Sequence, residues 1–181
     1  MDRCERGAPH ADQEEIGHVV VCRNILDRSL GYGTYSVTVR DTSHLEPAAN
    51  FSMFIFDELH SEEHFREMDV EVGGWGDAAN KNNARYVIQP LYVPGNLYAF
   101  TAPSGTLTYV LRWESGHATF KTFRGRSAGG GARLVSEHKF TSGIPAPGKT
   151  IPRLIFYVVA SDKHPMRNPS EVVIEKFEYL P

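Results

Sequence analysis

Cysteine is nearly absent from this chain. Its two residues, Cys4 and Cys22, among 181 are too few for a disulfide framework or a four-cysteine metal site. Cys22, following three valines, reads as a small core residue. An excess of positive charge is missing too. Nineteen Lys and Arg against 22 Asp and Glu, with a net charge of -3 and a pI near 6.2, leave no surplus to neutralise phosphates, which argues against nucleic acid as the main partner. No apolar run reaches the roughly 20 residues of a membrane span. The opening MDRCERGAPHADQEE is polar and shows no apolar signal-peptide core. Helical periodicity is scarce as well: DELHSEEHFR, residues 57–66, offers one or two turns at most. No internal repeat is evident. What remains, 41% hydrophobic and 23% charged, is the composition of a globular domain. We divide the chain into a polar N-terminal extension, 1–16, and a single β domain, 17–181.

Short apolar runs separated by turn residues are abundant. Strands are expected at 17–24, 32–40, 51–58, 66–72, 85–92, 97–101, 106–114, 117–124, 134–140, 152–160 and 171–180, rich in β-branched and aromatic residues and bounded by Gly, Pro, Asn and Ser. That pattern predicts an all-β sandwich or barrel. WESGHATF, with Ser115 and Gly116 between two runs, predicts a tight hairpin. GRSAGGGAR at 125–133 is expected to be a mobile surface loop.

Three segments match well-known patterns. Gly143 to Thr150, GIPAPGKT, has the spacing of a phosphate-binding loop, but that loop works by aiming backbone N–H groups at phosphates and then starting a helix. Pro145 and Pro147 have no N–H to offer, and the run that follows is strand-like, so nucleotide binding is not expected. HSEEH, with His60, Glu63 and His64, has an inverted zinc-protease spacing. It lacks a long helix and a third ligand, so we read it as a solvated acidic connector, with a zinc hydrolase as a remote rival. Asn50-Phe51-Ser52 is a glycosylation sequon that matters only in a secreted eukaryotic protein.

The most informative stretch is REMDVEVGGWGD, Arg66 to Asp77. Side chains alternate across a strand, so Glu67, Asp69 and Glu71 would share one face while Met68, Val70 and Val72 share the other. The plain reading is a sandwich strand with its acids in water. Three stacked carboxylates repel one another, however, and the next strand opposes them with a single cation, Arg85. Such a set titrates as a unit and keeps at least one proton near neutrality. Glycosidic bond cleavage requires that combination: one ionised carboxylate as nucleophile and one protonated carboxyl as acid, about 5–5.5 Å apart in retaining enzymes. Glu67 and Glu71 would stand roughly 13 Å apart at their Cα atoms, and side chains leaning inward by about 4 Å each bring the carboxyls near the retaining distance.

GYGTYSVTVR followed by an apolar strand, then E-x-D-x-E, a further strand and the TYVLRWESGHATF hairpin, resembles glycoside hydrolase family sixteen, the laminarinase, lichenase and carrageenase group. The resemblance spans roughly residues 30 to 180. It implies a concanavalin A-like jelly-roll β-sandwich of two antiparallel sheets with a concave, polysaccharide-binding face, and it suggests secretion. It also implies Glu67 as nucleophile, Asp69 as its assistant and Glu71 as general acid and base. Phe65 stands where the family often places a ring beneath a sugar, and Gln89 where it offers a polar side chain.

From the residues themselves, Trp75 is a candidate sugar platform or, equally, a loop-anchoring core residue. Arg85 is assigned to the substrate face. Trp113 and Phe120 are expected in the core, and Asn80, Asn82 and Asn83 serve either hydroxyl binding or a turn. The expectation is a monomeric, retaining, endo-acting hydrolase of a β-glucan or galactan, with no nucleic-acid or membrane partner. No cofactor is called for, and a structural calcium ion is left open. The alternative is a non-catalytic carbohydrate-binding module on the same fold.

Overall fold

The computed structural model describes residues 22–25, 28–57, 66–148, 150–159 and 165–181. Its strands are β1 (Cys22–Ile25), β2 (Gly33–Val39), β3 (Ala49–Asp57), β4 (Glu67–Gly73), β5 (Ala84–Ile88) and β6 (Leu97–Phe100). They continue with β7 (Leu107–Glu114), β8 (His117–Arg124), β9 (Arg133–Phe140), β10 (Thr150–Val158) and β11 (Ile174–Leu180). All eleven overlap the expected segments, with ends that differ by a few residues, and no helix occurs among the described residues. The helical candidate at 57–66 lies outside them, apart from Asp57, which ends β3, and Arg66 just before β4.

Two antiparallel sheets form the jelly-roll sandwich: β1-β10-β3-β4-β5-β6 and β11-β2-β7-β8-β9. Alternation builds the core between them. From the six-stranded sheet come Phe51, Met53, Ile55, Met68, Val70, Val72, Tyr86 and Ile88, and from the five-stranded sheet Tyr35, Val37, Val39, Tyr109, Leu111, Trp113 and Phe120. Trp113 and Phe120 are fully enclosed, as expected. The Trp113 indole N–H donates to the Pro145 carbonyl at 3.0 Å, and the Tyr86 hydroxyl meets Thr122 Oγ1 at 2.6 Å, so these buried polar atoms have partners.

Turn residues behave as their chemistry requires. Glu114 and His117 close the two-residue hairpin around Ser115 and Gly116, with Gly116 at a φ of 76° that most side chains resist. The glycine-rich segment after β8 is exposed, but Arg126 anchors it through two hydrogen bonds to Glu175, at 2.6 and 2.9 Å. GIPAPGKT leads into β10, not into a helix. β5 is shorter than expected: it stops at Ile88, and Leu91 and Tyr92 belong to an exposed turn. The backbone there folds back through a Val93 N–H bond to the Pro90 carbonyl, so that stretch has no strand neighbour to pair with.

Candidate active site

β4 lies inside the six-stranded sheet, between β3 and β5. Met68, Val70 and Val72 are buried in the core, which forces Glu67, Asp69 and Glu71 onto the face turned away from it. The plain reading of acids standing in water does not describe this face. Glu67 is half-buried, whereas Asp69 is 1% and Glu71 9% exposed. A carboxyl so enclosed cannot recruit water to carry its charge, so partners within the protein must settle its protonation.

The registers identify those partners. On β3, Phe56 stands opposite Glu67, Phe54 opposite Asp69 and Ser52 opposite Glu71. On β5, Val87 faces Asp69 and Arg85 faces Glu71. Gln89 follows β5; its backbone N–H donates to the Glu67 carbonyl at 3.0 Å and its Nε2 to Asp69 Oδ2 at 3.3 Å. The Gln89 carbonyl oxygen in turn accepts the Leu91 N–H at 3.0 Å, which aims the amide nitrogen at Asp69.

Burial raises the Asp69 carboxyl well above its ordinary range, and the charges of Glu67 and Glu71 add to that. A hydrogen bond shared with Glu67 raises it further, while the Gln89 amide opposes the trend. Asp69 is thus held toward its protonated form, in a hydrogen bond with Glu67.

Glu71 has a different companion. Arg85 Nε donates to Glu71 Oε2 in a close ion pair, and the Arg85 guanidinium carbon lies 4.1 Å from the centroid of the Trp75 ring, within cation–π range. Trp75 is half-buried and has a φ of 49°, the only positive value at a non-glycine among the described residues. Its N–H donates to Asn50 Oδ1 at 2.9 Å, and Asn50 Nδ2 donates to the Ala48 carbonyl at 2.9 Å. Gly73 is required beside this clamp, since a Cβ there would lie 2.1 Å from Asn50 Oδ1. The Tyr157 hydroxyl completes this end: burial pushes its ionisation up and the Glu71 charge adds to it. The Trp75 indole nitrogen lies toward that hydroxyl without meeting hydrogen-bond geometry.

The predicted residues Glu67, Asp69, Glu71, Trp75, Arg85 and Gln89 therefore meet in one place. Phe65, and His60, Glu63 and His64 of the zinc pattern, lie outside the described residues. Asn50 of the sequon is fully buried, so it cannot carry a glycan in the folded protein. Asn80 and Asn83 are used locally: Asn80 Oδ1 accepts the Asn82 N–H at 3.0 Å, and Asn83 brackets Ala102 with bonds of 2.7 and 3.1 Å. Phe54, Phe56, Arg153 and Tyr157 escape the sequence reading. Arg153 faces Phe54 and lies 5.5 Å from the Phe56 ring centroid, and the Phe54 and Phe56 rings meet edge to face at 6.5 Å. The signal for the phenylalanines was present in FSMFIFDE, where both alternating faces carry apolar residues.

No family model and no curated protein matches the sequence. Solved structures do match. The chain is similar to a native glycosidic hydrolase at 19% identity and a TM-score of 0.62, over 87% of this chain and 68% of that one. A Bacillus licheniformis β-glucanase aligns at 16% identity and 0.61, over 88% and 71%. A β-1,3-glucanase from Mycobacterium marinum aligns at 15% and 0.60, over 90% and 74%. At these identities the likeness establishes the fold alone, a two-sheet β-sandwich shared with those structures, and leaves chemistry to be argued from the site.

Proposed function

We propose that this protein is a retaining, endo-acting glycoside hydrolase of a β-linked polysaccharide, a glucan or galactan. Glu67 serves as nucleophile, Asp69 as its hydrogen-bonding assistant and Glu71 as general acid and base. The observation that carries this reading is the set of three acids on one strand face, with a buried Asp69, its ionisation opposed by burial, between the two glutamates. Glycosidases depend on environments that push neighbouring carboxyls toward different protonation states.

In the first step the Glu67 carboxylate attacks the anomeric carbon while Glu71 gives its proton to the departing glycosidic oxygen. Asp69 donates its hydrogen bond to Glu67, steadying the carboxylate before attack and again when the ester breaks. In the second step Glu71 removes a proton from water, whose oxygen displaces Glu67 from the anomeric carbon. Configuration is inverted twice and so retained. Phe54, Phe56 and Trp75 supply ring faces for sugar C–H groups, and Gln89 a polar edge. The similarity to glucanases supports a polysaccharide as the substrate.

A second reading, a binding module that no longer hydrolyses, is favoured by the ion pair that occupies Glu71. One experiment separates them. Glu67→Ala should reduce turnover by about 10⁴-fold while sparing glycan affinity, and azide should restore cleavage of an activated glycoside with inverted product configuration. Glycan binding by the unaltered protein without turnover across a polysaccharide panel would establish the module instead.

A further inference from the structure

Glu71 is asked to do two incompatible things. As general acid it must carry a proton, yet it forms an ion pair with Arg85, and an ion pair exists only with an ionised carboxylate. The pair is no passing surface contact. Arg85 stands directly opposite Glu71 in the β4–β5 ladder, and the Glu71 side chain is only 12% and the Arg85 side chain only 20% exposed, so water screens their attraction weakly. The guanidinium also rests on the Trp75 ring at 4.1 Å. Trp75 is held by its left-handed backbone and by Asn50, which is fully buried. Strand β5, the turn after β4 and strand β3 thus fix the cation in one position.

We propose that Arg85 is a positioning residue that latches the Glu71 carboxylate in the free protein, and that a sugar entering the groove must part the pair before Glu71 can act as an acid. Trp75 forms the other side of the latch, and a sugar ring settling on its face would compete with the guanidinium for the same surface. Once the pair is parted, Glu71 takes one proton from solvent and holds it for the glycosidic oxygen. This inference rests on the glycosidase reading. It adds that resting and working states differ in what Arg85 touches, and that Arg85 acts through Glu71 instead of recognising the glycan.

Two measurements test it. In the full chain labelled with ¹⁵N-arginine, the Arg85 Nε–H signal should exchange slowly, lose that protection in Glu71→Gln, and exchange at least about tenfold faster when a β-glucan hexasaccharide saturates the protein. Kinetically, Arg85→Met should raise the ratio of kcat/KM on β-glucan to kcat/KM on a 2,4-dinitrophenyl glycoside by about tenfold, because only the poor leaving group needs the acid and the cost of parting the pair is counted from the free protein. Arg85→Lys keeps the charge but not the fork, and should fall between. A merely structural arginine would lower both rates together and leave the ratio alone. Should Arg85→Met fail to fold, the lysine variant and the Nε–H signal carry the test. Cleavage by the unaltered protein with an Arg85 signal indifferent to saturating sugar overturns the latch alone. A protein that neither binds the hexasaccharide nor cleaves either substrate overturns the glycosidase reading, and the latch with it.

Discussion

The two ends of β4 carry the same side chain, a glutamate, in opposite surroundings. At the first, Glu67 is half-buried and hydrogen-bonded to Asp69, whose carboxyl Gln89 orients from the neighbouring loop. At the second, Glu71 is enclosed and bound to a guanidinium that is itself stacked on an indole. A carboxyl neighbour at one end and a cation at the other make two chemically identical groups unequal, although only three residues separate them. Strand alternation sets the acids in a row, and the cross-strand neighbours then decide what each can do.

The largest expected effect comes from removing the cation's partner. Glu71→Ala should lower turnover on β-glucan by about 10²–10⁴-fold while barely slowing a dinitrophenyl glycoside, the contribution expected of a general acid. Equal losses on both substrates would erase the distinction between the two ends. Next is Gly73→Ala. The new methyl would collide with Asn50 Oδ1 and the Ala49 carbonyl, at 2.1 and 2.7 Å, on a backbone whose φ is 155°. We expect a loss of roughly 2–4 kcal/mol in urea unfolding and, in whatever folds, loss of the slow Arg85 Nε–H exchange. A fully stable variant with that signal intact would show that the Asn50 clamp does not hold Trp75 in place.

The smallest effect sharpens the first end. The folded Asp69 value lies above its unfolded one, chiefly through burial. Between about pH 4, where a free aspartate ionises, and that raised value, the folded state binds more protons than the unfolded state. Stability from this group is therefore fully present below about pH 4 and is lost as pH rises through the folded value. Asp69→Asn removes the titration and keeps a donor toward Glu67. Its stability relative to the unaltered protein should rise from pH 4 toward neutrality, read from urea midpoints at a series of pH values. A difference constant with pH would mean that Asp69 enters the fold already ionised.

Strand positions were legible because period-two alternation and turn residues are local signals, and β4 carries the clearest of them in Glu67 to Val72. The limits of β5 were less so: RYVIQPLY reads as one run, but Leu91 and Tyr92 have no ladder to join. Among the site residues, Glu67, Asp69, Glu71, Trp75, Arg85 and Gln89 were visible in two short segments. Tyr157 and Arg153 were not, since about eighty residues separate them from β4 and only the pairing of β10 with β3 brings them near. Trp75 could be read as platform or anchor from its neighbours in sequence, and its place against Arg85 supports the first use without abolishing the second.

The sequence by itself determined the two-sheet architecture and the common face of the three acids, because both follow from which residues alternate with which. Their inequality came only with the tertiary structure. Whether a carboxyl holds a proton or a cation depends on its burial and on groups delivered by other strands, and the registers that pair Arg85 with Glu71 and seat Asn50 behind Trp75 are contacts between segments distant in the chain.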